Sequence, residues 1–228
     1  MSAPISVVIP TLDAATQLPR AMEALFEGLQ AGLIRELIVS DGGSGDATQA
    51  IAEVAGARWV AGAPGRGGQL ARGCDAACAP WLLVLHADTQ LAPGWTVAVE
   101  AALQRPDRAH VFRLAFRADG PGAAFVAGWA NRRTAWFGLP YGDQGLLIHR
   151  DLYARAGGYP DIPLMEDVAL VRALPERPLV MPATARTDAG RYLAEGWLRR
   201  GARNLWTLAR YLAGTPPERL LRGYVAGG

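Results

Sequence analysis

His86 and Asp88 stand two residues apart just past an uninterrupted apolar run, Trp81-Leu-Leu-Val-Leu85. Such a run reads as a strand buried on both faces of a parallel sheet. The polar groups of His86-Ala87-Asp88-Thr89 follow where the strand ends, and ligands of open α/β sheets sit beyond the carboxyl ends of strands. A carboxylate and an imidazole at this spacing can aim oxygen and nitrogen at one divalent ion. The plainer alternative is that Asp88 caps the next helix. Glu166-Asp167, at the start of a helical segment, offers two further carboxylates. They either compensate the helix dipole, worth ~0.3–1 kcal/mol, or put one carboxylate into the cleft of Asp88. Adjacent helical residues point about 100° apart, so one of the two is expected to face it.

Two glycine-rich loops could meet a nucleotide. Asp41-Gly-Gly-Ser-Gly-Asp46 closes the second strand, where a carboxylate commonly reads a ribose or base; a tight strand-to-helix turn explains the same residues equally well. Gly65-Arg66-Gly67-Gly68 fails the G-x-G-x-x-G spacing, yet an Arg in a glycine loop before a helix suits a diphosphate. An exposed Arg on a flexible loop is its structural alternative. Ser44 is no nucleophile elbow, because Asp46 replaces the final glycine of G-x-S-x-G. The three His, at 86, 110 and 149, do not support a Ser-hydrolase triad, and His110 and His149 read as satisfied core residues.

A scaffold of 228 residues suits one large domain, and half of them are hydrophobic against 19% charged. The net charge of +2 does not suggest general nucleic-acid binding. All 23 basic residues are Arg, which excludes Schiff-base chemistry, a Walker-type Lys and a Ser–Lys dyad. Arg is left as the only strong cation, a planar fork for phosphate or carboxylate. Cys74 and Cys78, four apart on a helix, read as packing residues. No basic, apolar leader opens the chain and no run of about 18 apolar residues occurs, so a soluble cytoplasmic protein is expected.

In order, the chain predicts a strand at Ile5–Pro10, then a helix capped by Asp13 with Leu18, Met22, Leu25, Phe26 and Leu29 on one buried face. Strands at 36–40 and 58–60 flank a helix at 47–54, which makes a βαβ series and a parallel, doubly wound α/β sheet. Further helices are expected through 70–78, from Pro93, over 120–138 and over 165–174, with strands at 109–116 and 146–149 and an edge strand at 179–181. The segment 120–138 carries Phe125, Trp129, Trp136 and Phe137 with Arg132-Arg133. It either packs over the sheet and an acceptor pocket or lies on a membrane surface, helped by a basic, aromatic tail from Arg191.

Ser6-Val-Val-Ile-Pro-Thr11, Val39-Ser-Asp-Gly-Gly-Ser44, Leu85-His-Ala-Asp-Thr89 and Met165-Glu-Asp167 together resemble the signature of family 2 glycosyltransferases, in order and over nearly the whole chain. Gly65-Arg66-Gly67, Gly142-Asp-Gln144 and Ile162-Pro-Leu-Met-Glu-Asp167 resemble its radical-SAM/selenodomain-associated branch. The resemblance implies a GT-A fold, a nucleotide-sugar donor (commonly UDP-linked), a divalent cation (Mn²⁺ or Mg²⁺) and inverting transfer to a small-molecule or lipid acceptor. It implies a nucleotide-binding half over about 1–90, an acceptor half over 91–190 and a helical tail over 191–228. Carried over, Thr11, Asp13 and Asp41 would contact uracil and ribose, with Arg66 and Arg191 at the diphosphate. Asp88 would bind the metal, with His86 in the first acidic position of D-x-D, and Asp167, beside Glu166, would be the general base. A sugar nucleotidyltransferase and a non-catalytic nucleotide-binding module are the competing functions.

Overall fold

The computed structural model describes residues 3–225, with side chains in the last helix as far as Arg222. Positions 226–228 of the expected tail lie outside the described residues. The elements run β1 (Ile5–Thr11), α1 (Leu18–Glu23), α2 (Phe26–Gln30), β2 (Ile34–Asp41), α3 (Thr48–Val54), β3 (Arg58–Ala61) and α4 (Arg66–Ala76). Next come β4 (Trp81–Val84), β5 (Gln90–Leu91), α5 (Trp95–Ala102), β6 (His110–Phe116), α6 (Pro121–Phe137), a 3₁₀ turn at Gly142–Gln144 and β7 (Leu146–His149). The chain continues through α7 (Arg150–Arg155), α8 (Glu166–Ala173), β8 (Leu179–Thr187), α9 (Gly190–Glu195), α10 (Trp197–Leu212) and α11 (Pro217–Val225).

Among the described residues one sheet of eight strands, ordered β3-β2-β1-β4-β7-β6-β8-β5, carries the fold. β1, β2, β3 and β4 are parallel, β7 is antiparallel to both neighbours, and β8 is parallel to β6 but antiparallel to β5. Alternation along β1 sends Ile5, Val7 and Ile9 into one apolar layer, with Trp95, Val99 and Leu83. Val8 goes to the other, with Leu70, Cys74 and Leu170. Both faces are covered by helices, as a parallel sheet requires. Cys74 is buried and Cys78 exposed, both as free thiols.

Three expectations change. The helix proposed over 18–29 is two, because the Trp95 indole N–H donates to the Ala24 carbonyl at 3.1 Å, just where the ladder breaks. Glu27 then accepts from the Gly94 and Thr96 N–H groups, drawing α2 toward α5 and leaving Phe26 and Leu29 exposed. Asp13 is no N-cap: it has φ 50° and lies outside α1, which starts after Gln17. β8 is neither short nor at the edge. It passes through Pro182 to Thr187 between β6 and β5. The pairing with β6 shifts register between Val111 and Arg113, opposite Pro182, so a residue without an N–H is tolerated there.

Candidate active site

The loop Leu85–Thr89 continues β4, whose line the Leu85 N–H extends by donating to the Val8 carbonyl. Thr89 folds back onto the His86 carbonyl at 3.1 Å, and β5 then joins β8. The loop is thereby anchored at both ends, with Asp88 near the carboxyl end of β8. Its Oδ1 accepts only long contacts, from Thr89 Oγ1 at 3.3 Å and Thr187 Oγ1 at 3.5 Å. His86 lies against Gly142, where a side-chain Cβ would stand 2.3 Å from Nε2. Burial, and then the charges of Arg66 and Arg191, hold His86 well below the usual histidine range, so its imidazole is neutral near pH 7.

The Glu-Asp pair opens α8 directly after Met165, which adopts the left-handed region at φ 67°. Asp167 is half-buried. Its Oδ2 accepts the Gly142 N–H and its Oδ1 the Val168 N–H, each at 2.7 Å. Glu166 is buried, with Oε1 3.8 Å from Arg66 Nε. Burial raises both carboxyls. The like charge of Asp167 raises Glu166 further, while Arg66 opposes the rise in each. Both residues border the cavity, Asp167 half-buried and Glu166 buried. They sit on the first turn, where the cavity wraps round the helix end.

A cavity of about 460 Å³ collects these groups. His86, Asp88, Glu166 and Asp167 line it with Arg66 and Arg191. Arg66 is the first residue of α4 and Arg191 belongs to α9. Thr11, Asp13 and Asp41 do not line that cavity; they tie two neighbouring loops together. Thr11 Oγ1 donates to Asp41 Oδ1 at 2.8 Å, and the same carboxylate accepts from the Ser44 hydroxyl and the Gly43 and Ser44 N–H groups. Burial acts to raise Asp41, but these donors outweigh it and hold it below the usual range. With Thr11 and Asp41 both buried, their side chains are spent on the loop rather than presented outward. Asp13 is exposed, with Oδ1 accepting the Gly45 N–H at 2.8 Å.

Other residues belong here that sequence reasoning passed over. Gln69, on α4, donates to the Thr11 carbonyl at 2.6 Å and the Ser40 carbonyl at 3.2 Å, binding the ends of β1 and β2 to the start of α4. Asp143, in the 3₁₀ turn, lines the cavity with one buried carboxylate oxygen lacking any partner. Arg133, in the segment expected either to pack over the sheet or to lie on a membrane, is buried, its guanidinium 3.7 Å from the centre of the Tyr141 ring. Only the resemblance of the Gly142-Asp-Gln144 segment drew attention to Asp143, and nothing in sequence spacing marked Gln69 or Arg133. In the tail, Tyr192 stacks on Trp197 and meets Phe116 edge-on, while Arg200 and Arg203 engage Glu195.

Among the described residues, no three His, Cys, Asp or Glu side chains converge as a ready-made metal cage. The donors present still suit Mg²⁺ or Mn²⁺. Such ions take one or two carboxylates and complete their shell with water and substrate phosphate oxygens. Asp88 is nearly unengaged, Asp143 has an orphaned oxygen and His86 is neutral.

Residues 6–107 match the family model described as Glycosyl transferase family 2. No curated protein matches the chain. Among solved structures, one described as a mycobacterial protein is 24% identical over 90% of this chain and 74% of that one, with TM-score 0.56. Glucosyl-3-phosphoglycerate synthase from Mycobacterium tuberculosis, in complex with Mn²⁺, UDP and phosphoglyceric acid, is 21% identical over 82% of this chain and 68% of that one, with TM-score 0.54. The same synthase with Mn²⁺, UDP-glucose and phosphoglyceric acid is 23% identical over 82% and 70%, with TM-score 0.53. These likenesses establish the α/β GT-A-like fold, with its mixed sheet between helices and its helical C-terminal segment. The part of the chain that is similar to family 2 glycosyltransferases by sequence is thus residues 6–107, rather less than half of its length.

Proposed function

We propose that the chain transfers a sugar from a UDP-linked donor to an acceptor hydroxyl with inversion at the anomeric carbon, and that Asp167 is the general base. The observation that carries this reading is the meeting of Asp88, Asp167, Arg66 and Arg191 around one cavity. Transfer away from a diphosphate builds negative charge on the departing oxygen, and Arg66 and Arg191 face that charge as planar, permanent cations. Asp88 would hold a divalent cation, with neutral His86 beside it and the free oxygen of Asp143 within the same cavity. When bound, Mn²⁺ or Mg²⁺ supplies Lewis-acid neutralisation of the diphosphate oxygens. The related synthase, crystallised with Mn²⁺, UDP-glucose and an acceptor, supports this donor and ion.

The base must take the acceptor proton. Asp167 suits that task because its raised affinity for protons improves it as an acceptor. The Gly142 and Val168 N–H groups fix the carboxylate plane. Asp13 and the backbone of the loop 42–45 present themselves to the nucleoside, with Thr11, Asp41 and Gln69 positioning that loop. Membership of the narrower radical-SAM-associated branch belongs to the same proposal and rests on the Gly65–Gly67 and Gly142–Gln144 segments.

The test measures UDP released from UDP-glucose without added acceptor, alongside calorimetry with UDP and Mn²⁺. Asp167→Asn should lower release by ~10²–10⁴-fold while UDP affinity is retained. Wild-type release from that variant overturns the assignment. Asp88→Ala should weaken UDP binding in Mn²⁺ at least tenfold and should do little in EDTA. Equal affinity in all four conditions refutes the metal role.

A further inference from the structure

α6 and α10 share an unusual arrangement of side chains. In α6, Phe125, Trp129, Arg132 and Trp136 follow at intervals of four, three and four residues, hence on one face. That face is turned outward, with Phe137 beside it. The buried side of the helix carries the smaller Ala123, Val126, Ala127 and Ala130. An ordinary surface helix buries its large apolar residues and exposes polar ones; α6 does the reverse. α10 repeats the theme. Leu198, Ala202, Leu205, Ala209 and Leu212 recur at four and three residues along its exposed face, flanked by Trp206. The large side chains of the two stripes are between 39% and 70% exposed.

The helices adjoin. A Cβ on Gly122 of α6 would stand 2.6 Å from the Trp197 ring of α10, and one on Gly201 of α10 would stand 3.7 Å from Val126 of α6. Their charges have one sign. Neither helix contains an Asp or Glu, while Arg132 interrupts the first stripe and Arg199 borders the second, both exposed. Nearby Glu195 is engaged by Arg200 and Arg203. A second copy of the chain seated here would bring two wholly cationic helices together, a juxtaposition that costs affinity. An anionic lipid surface matches both properties. Aromatic and Leu side chains lie at the headgroup–acyl boundary while Arg reaches the phosphates, and Trp favours that boundary.

We propose that the α6/α10 face docks the enzyme on anionic lipid bilayers, with Trp129, Trp136, Leu198 and Leu205 entering the boundary and Arg132 and Arg199 meeting lipid phosphates. The mode is peripheral: no helix among the described residues is long and apolar enough to cross a membrane. The inference stands independently of the transfer chemistry.

The test is flotation of the full chain with vesicles of phosphatidylcholine alone and with 30% phosphatidylglycerol, a ratio chosen to give a clearly anionic surface (roughly one lipid in three). The chain should float with the anionic vesicles, and added salt should weaken the binding. The variants W129S/W136S and R132E/R199E change exposed side chains only, and each should lose at least tenfold in vesicle affinity while keeping the wild-type thermal melt. No flotation with anionic vesicles, or equal flotation of both variants, overturns the proposal. It is overturned as well if light scattering reports a dimer that W129S/W136S converts to monomer while wild type ignores vesicles.

Discussion

Asp143 stands between two other acids with one carboxylate oxygen buried and unpartnered. Burial lifts its pKa to about 6; Asp167 and Asp88 add to the rise, and Arg133 and Arg66 oppose it. A folded-state pKa above the unfolded value means that the native chain holds this proton more tightly. Stability is then lost as pH climbs from about 4 through about 6. Asp143→Asn escapes that loss. In EDTA it should match wild type near pH 4 and exceed it at pH 8 by on the order of 1–2 kcal/mol in urea unfolding. A variant equally stable at both pH values would contradict the account. Asp167 and Glu166 are raised too, so the base form accumulates only as pH rises and UDP release should fall on the acid side. Glu166 is pushed up to about 7, in part by the charge of Asp167, so it is largely neutral while Asp167 ionises, and Glu166→Gln should leave the acid limb of the rate profile near its wild-type position. At this scale the sequence marked polar groups at a strand end and at a helix start, which is why His86 and Asp88, and Glu166 and Asp167, could be singled out. It was silent about Gln69 and Arg133, whose roles depend on contacts with distant or reversed parts of the chain. The resemblance implied nucleotide contacts for Thr11 and Asp41, whose side chains are hydrogen-bonded to one another at 2.8 Å.

Among the elements, the start of α4 is held most closely. A Cβ on Gly67 would stand 2.2 Å from the Pro160 carbonyl oxygen, so the glycine is there to let two backbones approach. Gly67→Ala should cost about 1–3 kcal/mol, lowering Tm by roughly 2–12 °C in calorimetry. It should also weaken UDP binding, because Arg66 is displaced with the helix end. Gly45→Ala meets no atom within 4 Å and is the control, expected within about 0.5 kcal/mol of wild type. Several strands were readable because their period matches their burial, as in the apolar run of β4 and the strand β7, while α6 falls where its bounding glycines put it. The misreadings have local causes. The strand expected over 179–181 runs on through Pro182, which sits at a register shift, and the break between α1 and α2 is made by Trp95 some seventy residues away.

For the molecule as a whole, the sheet gathers the parallel strands β1 to β4 and the mixed set β5 to β8 into one surface, and the cavity lies where residues from both converge. The order of strands could not be read from sequence, since nothing local tells β7 to run antiparallel between β4 and β6. Nor could the outward aromatics of α6 be told from core ones, because both have the same period. α10 belongs to two places at once: Arg200, Asn204 and Thr207 border the cavity, while Leu198, Leu205 and Leu212 lie on its outer side. A single rod with an occupied side and a free side makes the two sides share one equilibrium. If seating on a bilayer shifts the affinity for UDP by some factor, UDP must shift the affinity for the bilayer by the same factor. Titrating each in the presence of the other would measure that factor, and a factor of one would show that the helix does not transmit it.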